Sequence, residues 1–325
     1  MRVLLTGSTG FVGGAVAARL VEQGAVVTAL VRDPGRAPAG VVAVAGDLAN
    51  RAAIARACRD NEIVIHSAAR PADSGASADF YRDNVEGTLL LARAAVDAGC
   101  RRFVFVSSIS TYGFQPPPVA DESSEVTVAN LGGSYPYAES KIVCEHVLPS
   151  FGFPELVIVR VGSVYGPGSF HWTERPVRVL RDPRIGMMLI DGGDGLHNYV
   201  YIDNVVDGLL LAASHPDALG TFNMTDGVAT YRDFFGYYSD MLGGRGRIRK
   251  VSRGQALALA WAAERAAKLR HKPPLFTRIA VKLLCRRAEF PSARAAAVLG
   301  WRPTVTLGDG MAACEHWLRD RELLS

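Results

Sequence analysis

Val3-Leu4-Leu5-Thr6-Gly7-Ser8-Thr9-Gly10-Phe11-Val12-Gly13 is the stretch whose reading decides the fold. A short apolar run ends at Thr6, and a GxxGxxG loop follows at 7–13. Phe11, Val12, Val16, Leu20 and Val21 then recur at helical spacing. Strand, glycine turn and amphipathic helix in that order form the arrangement that cradles a dinucleotide pyrophosphate. Gly7 permits the tight turn, Gly10 lets the backbone approach the phosphates, and Gly13 lets the helix pack on the sheet. Around them, Thr9, Phe11 and Val12 belong to the helix N-terminus, whose N–H groups favour phosphate charge. Gly24 stops the helix where a C-terminal glycine would sit.

The same rhythm extends outward. Apolar runs at 26–31, 41–45, 63–65, 103–106 and 156–159 alternate with helical stretches near 49–59, 80–98 and 134–148. This predicts an α/β protein with a doubly wound parallel sheet and right-handed crossovers. The strands are continuously apolar rather than alternating, so both sheet faces are expected to be covered. After residue 165 the pattern changes. Gly166-Pro167-Gly168 breaks the chain, and a Gly-rich turn at 192–195 precedes a strand-then-helix stretch at 198–213. Two basic amphipathic helices are expected within 253–290, separated by Pro273-Pro274, and a last helix at about 307–320 follows Trp301-Arg302-Pro303. The expected division is a dinucleotide-binding domain at 1–165 plus 198–213, with 166–197 and 214–325 forming mainly a smaller substrate-binding lobe.

Composition narrows the function. A chain of 325 residues that is 49% hydrophobic and 21% charged is not a disordered one. No apolar run reaches the roughly 18 residues of a membrane span, and the first residues do not read as a signal peptide. Five scattered cysteines without CxxC spacing fit a reducing cytoplasm and no metal site. The formal charge of +4 hides 31 Arg against 5 Lys, with +11 concentrated at residues 245–290 and −7 elsewhere. That imbalance argues against a nucleic-acid binder. It leaves 253–290 as a solvated helical face or a peripheral contact with phosphate or lipid.

Lys141 is the lone lysine of the first 249 residues, and it lies four positions after Tyr137 on one helix face. Ten tyrosines and five lysines in 325 residues give about 0.15 such pairs by chance. A neighbouring ammonium favours the phenolate and draws the tyrosine toward acid–base work near neutrality; the same lysine can hold a nicotinamide ribose. Arginine, a planar fork, would not serve there. Ser108, at the end of the run at 103–106, is the candidate hydroxyl for a substrate carbonyl oxygen, with Ser107 beside it. Asn84 is expected to orient a water or support the lysine, or else to be a buried helix amide bonded to backbone. Val31 closes the second strand, where an acidic residue would bind the ribose of NAD, and Arg32 follows it. That arginine points to the 2′-phosphate of NADP(H), with NAD(H) open through Asp33. Asp47, before Leu48, suits the adenine amino group or a helix cap.

Together, GSTGFVG at 7–13, GDL at 46–48, HSAA at 66–69, NVEGT at 84–88, SSISTYG at 107–113, YAESK at 137–141 and VYGPG at 164–168 resemble the extended short-chain dehydrogenase/reductase superfamily. The resemblance covers nearly the whole chain. It implies a seven-stranded Rossmann-type sheet and a catalytic Ser108–Tyr137–Lys141 set with Asn84 nearby. It also implies that Ser67, Ala68 and Ala69 line the dinucleotide and that Val161 and Val164 approach the nicotinamide. Two branches compete. His197 stands where many sugar-nucleotide epimerases carry a diphosphate-gripping arginine, and Ile109 follows Ser108 where dehydratases carry an acid. The pattern around 200–206 and 222–227 instead resembles the 3β-hydroxysteroid dehydrogenase-like branch. The resulting expectation is an NADP(H)-dependent ketoreductase acting on an apolar carbonyl substrate. The alternatives are an NAD-dependent epimerase/dehydratase and a non-catalytic NADP-sensing protein. Paired helices near 80–98 and 134–148 often form a homodimer interface in this superfamily.

Overall fold

The computed structural model describes residues 1–71, 75–132, 135–270, 272–274 and 276–324. Ser134, the start of one expected helix, lies outside them. Seven strands form one wholly parallel sheet in the spatial order Gly220–Met224, Glu155–Val161, Arg102–Ser108, Ile63–His66, Arg2–Thr6, Val26–Val31, Val42–Ala45. The chain winds outward from Arg2–Thr6 in both directions. A crevice therefore opens where the order reverses, between that strand and Ile63–His66.

Period-two geometry explains why the strands read as continuous apolar runs. Val3, Leu5, Ile63, Ile65, Val104, Val106, Val157 and Val159 point into one core. Leu4, Val64, Phe103, Phe105 and Ile158 point into another on the opposite face. Helix Phe11–Glu22 covers the first face with helix Ile202–Ser214, while Arg51–Cys58 and Gly87–Asp97 pack together over the second. Truncating Leu4, fully buried between its neighbours, to Ala costs about 2–5 kcal/mol.

The seventh strand is a departure from the sequence reading. Gly220–Met224 falls in the segment assigned to the substrate lobe, yet it completes the large sheet beside Glu155–Val161. Strand Leu196–Tyr201 instead joins a small sheet between Ser163–Tyr165 and Gly227–Thr230. Its following helix, Ile202–Ser214, does pack on the nucleotide-binding body. A parallel pair, Met187–Ile190 with Ile248–Val251, and helices Arg253–Leu269 and Arg278–Leu284 lie in the segments expected to form that lobe. Among the described residues, no helix is long and apolar enough to cross a membrane. Helix Arg253–Leu269 does expose Leu259, Trp261 and Leu269 among basic side chains.

Candidate active site

The carboxyl ends of the central strands open onto a cavity of about 1710 Å³. Apart from Asp33, every cofactor-binding position expected above borders it, and so does Ser108.

At the nucleotide end the glycines are sterically required. Gly7 has φ +78°, and a Cβ there would lie 2.7 Å from the Ala68 nitrogen. A Cβ on Gly13 would stand 2.2 Å from the Gly7 carbonyl oxygen. Helix Phe11–Glu22 has no side-chain cap and no acid in its first turn, so its N–H groups stay open to an anion. This cradle fits a dinucleotide pyrophosphate. Farther along, Arg32 and Arg36 border the cavity, and neither pairs with a carboxylate among the described residues. Asp33 is turned away: its Oδ1 accepts from Gly35 N at 3.0 Å and caps the turn Pro34–Arg36. The helix cap considered for Asp47 belongs to Asn50, whose Oδ1 accepts from Ala53 N at 3.0 Å. Asp47 Oδ1 accepts from Ala49 N at 3.0 Å, and the residue stays on the cavity wall.

At the chemical end, strand Arg102–Ser108 delivers Ser108 to the cavity. Ser108 Oγ accepts from Ser110 N at 3.1 Å, which leaves its O–H free to donate. Ser107 faces the other way and donates to the buried carboxylate of Glu145. Glu145 in turn holds Arg160 of strand Glu155–Val161 at 2.7 Å, so one carboxylate of helix Pro136–Val147 ties the ends of both strands to that helix. Tyr137 lies beside the Ser108 side chain, which favours its phenolate. Lys141, on the same helix face, is 3% exposed; its Nζ donates to Val106 O at 2.6 Å and lies 4.5 Å from the Phe105 ring centroid.

The electrostatics differ from the sequence expectation. Burial pushes the Tyr137 phenol up to about 12, opposed only by the Ser108 side chain. Lys141, whose ammonium donates to the Val106 carbonyl, does not offset that burial and is itself lowered by burial to about 8. Tyr137 is therefore a protonated phenol at neutral pH, a proton donor rather than a ready base. Asn84 does not border the cavity, and Lys141 Nζ donates to Val106 O instead of to it. Its Oδ1 accepts from Arg70 N at 2.7 Å and its Nδ2 donates to Ser140 Oγ at 3.0 Å, as a buried amide within a π-helical turn. His197 is fully buried against Trp172, Tyr231 and Phe234, and burial beside Arg286 holds it neutral with a pKa of about 3. It cannot replace an arginine as a diphosphate clamp.

Arg36, Ser110, Trp172, Phe235 and Arg286 also border the cavity, and sequence reasoning did not single them out. Ser110 was within reach of it, two residues after Ser108. Arg286 was hidden inside the basic run.

The sheet, the glycine cradle and the Ser108–Tyr137–Lys141 group define an enzyme that works on C–OH and C=O groups with a nicotinamide dinucleotide. The model of the NAD dependent epimerase/dehydratase family matches residues 3–225, and the chain belongs to that family, within the extended short-chain dehydrogenase/reductase superfamily. It is 33% identical over 236 residues to a 3-diazoavenalumate denitrifying reductase of a Streptomyces species, covering 70% of this chain and 76% of the relative. It is 28% identical over 324 residues, 96% of this chain and 95% of the relative, to the 4-hydroxy-2-methyl-3-oxo-4-farnesyl-3,4-dihydroquinoline-1-oxide ketoreductase of Stigmatella aurantiaca. Among solved structures, the UDP-glucose 4-epimerase of Thermotoga maritima superposes with a TM-score of 0.77 at 22% identity, covering 99% of this chain and all of the other.

Proposed function

We propose that this chain is an NADP(H)-dependent ketoreductase that reduces an apolar carbonyl substrate. The observation that carries the reading is the Ser108–Tyr137 pair, with a donating hydroxyl and a protonated phenol meeting on the wall of one cavity beside Lys141. Gly7, Gly13 and the N-terminus of helix Phe11–Glu22 would hold the pyrophosphate, Arg32 and Arg36 a 2′-phosphate, and Lys141 the nicotinamide ribose. A bound dihydronicotinamide supplies the hydride. The chain's own part is to grip the carbonyl oxygen with two preorganised donors, which stabilise the charge that develops there. Tyr137 then gives its proton to that oxygen. Relatives include sugar-nucleotide epimerases, but the neutral, enclosed His197 favours reduction of a substrate without a diphosphate.

Two features support wider expectations. Leu89, Leu90 and Val143 are only partly buried on adjacent helices, which suits pairing with a second copy. Exposed Trp261 and Leu269 beside Arg265 and Lys268 suit peripheral contact with an anionic lipid surface. The test of function is a screen of ketone, hydroxysteroid and sugar-nucleotide substrates with NADPH and NADH, read as loss of reduced cofactor, with Tyr137→Phe as control. Ketone-dependent NADPH oxidation is expected. Undiminished turnover by Tyr137→Phe would remove the assigned proton donor.

A further inference from the structure

Tyr137, Lys141 and Glu145 recur at four-residue spacing on helix Pro136–Val147 and share one face of it. Glu145 is 6% exposed, and both of its oxygens are engaged. Oε1 accepts from Ser107 Oγ, while Oε2 accepts from Arg160 NH2 at 2.7 Å and from its Nε at 3.1 Å. Arg160 is braced in turn: its NH1 donates to the Tyr112 hydroxyl at 2.8 Å, and its guanidinium carbon lies 4.8 Å from the centroid of that ring. Lys141, one turn earlier than Glu145, donates to Val106 O at 2.6 Å. The helix therefore grips strand Arg102–Ser108 at two consecutive residues, Val106 and Ser107, immediately before Ser108. Side chains alternate along a strand, so holding Ser107 on one face fixes the direction in which Ser108 meets the cavity on the other. A buried ion pair is a poor source of net stability, since apolar residues of similar volume often do as well. Stability alone thus does not account for the arrangement.

We propose that Glu145 is a positioning residue for the reacting group, holding Ser108 in place through Ser107 and setting a negative charge beside the Lys141 ammonium. The proposal rests on the ketoreductase reading and deepens it. Burial lowers the lysine, and Cys144 and Glu145 oppose that burial. Cys144 is pushed up to about 11 by its own burial, so near neutrality it is an uncharged thiol. His66, on strand Ile63–His66, is held neutral at about 3, and Tyr137 is a protonated phenol. Arg160 pairs with the Glu145 carboxylate from strand Glu155–Val161. Glu145 is therefore the neighbour whose charge keeps the lysine protonated at working pH.

The experiment uses the full chain and separates the two contacts. Ser107→Ala removes the hydroxyl and keeps the carboxylate; Glu145→Gln keeps an acceptor for Ser107 and removes the charge. NADPH oxidation with decan-2-one gives kcat and KM. Urea unfolding of each protein against its own Lys141→Met form, across neutral and alkaline pH, reads the lysine titration without any turnover. Ser107→Ala should lower kcat by about 10–100-fold, the cost of a misplaced donor, with both KM values within about twofold. Its lysine should titrate as in wild type, with stability relative to the Lys141→Met form rising from about pH 8. In Glu145→Gln that rise should begin about one pH unit lower, because the charge that opposed burial is gone. Undiminished kcat in Ser107→Ala overturns the positioning role. So does an unmoved rise in Glu145→Gln, since lost packing alone costs stability without shifting a titration. If Glu145→Gln does not fold, Glu145→Gln/Arg160→Met strands neither charge and carries the same titration test. No turnover of decan-2-one by wild type would count against the ketoreductase reading, and the lysine titration then decides the role of Glu145 by itself.

Discussion

Lys141→Met separates what the lysine does for folding from what it does for chemistry. The ammonium is 3% exposed, and burial holds its pKa at about 8 against an ordinary 10.5. That gap corresponds to about 3 kcal/mol of folding free energy. The folded pKa lies below the unfolded one, so between pH 8 and 10.5 the unfolded chain keeps a proton that the folded chain has released. Stability therefore rises with pH across that window. The cost of burying the charge is fully present below about pH 8 and is relieved by about pH 10.5. Methionine removes this cost, but it also leaves the Val106 carbonyl without its donor, at about 1–2 kcal/mol, and loses the contact with the Phe105 ring. At pH 7 the variant should thus be more stable by about 1 kcal/mol and inactive. By pH 10.5 wild type should have gained about 3 kcal/mol relative to it. Urea unfolding of both proteins by tryptophan fluorescence at half-unit pH steps measures the difference directly. Parallel pH profiles would refute the reasoning, because lost contacts do not titrate.

Arg32→Ala should raise the KM for NADPH by about 10–100-fold, the worth of a charged hydrogen bond, and leave NADH nearly unchanged; equal losses would remove the 2′-phosphate assignment. Gly13→Ala drives a Cβ to 2.2 Å from the Gly7 carbonyl oxygen and should abolish NADPH binding in a fluorescence titration. Gly236→Ala, in a helix with nothing within 4 Å of the new Cβ, should raise stability by about 0.5–1 kcal/mol with cofactor binding intact. Glu145→Gln strands the Arg160 guanidinium, 7% exposed at its side chain, and should cost about 3–5 kcal/mol in urea unfolding.

The parts of the fold written as local pattern were legible. The glycine loop, the apolar strands and the Tyr137–Lys141 spacing each express a short-range constraint, and all lie where the sequence places them. The seventh strand was not placed, because the alternation in Thr221-Phe222-Asn223-Met224 marks a strand but not the sheet it joins. Its place is set by the edge left open beside Glu155–Val161. The Tyr137 pKa was misjudged for a related reason. Sequence spacing shows that an ammonium is near, but not that it donates to a main-chain carbonyl and that burial dominates at the phenol. Arg286 was lost in the +11 segment, where counting charges cannot tell one buried guanidinium from its solvated neighbours.

The central claim is net, tyrosine-dependent transfer of hydride from NADPH to a substrate carbonyl. The most direct measurement follows deuterium from labelled NADPH into the product under single-turnover conditions, with wild type and Tyr137→Phe side by side. One deuterium on the new carbinol carbon is expected for each cofactor oxidised, with loss of that transfer in the variant. Inversion of a sugar nucleotide with no net cofactor oxidation, or equal labelling by both proteins, would contradict it.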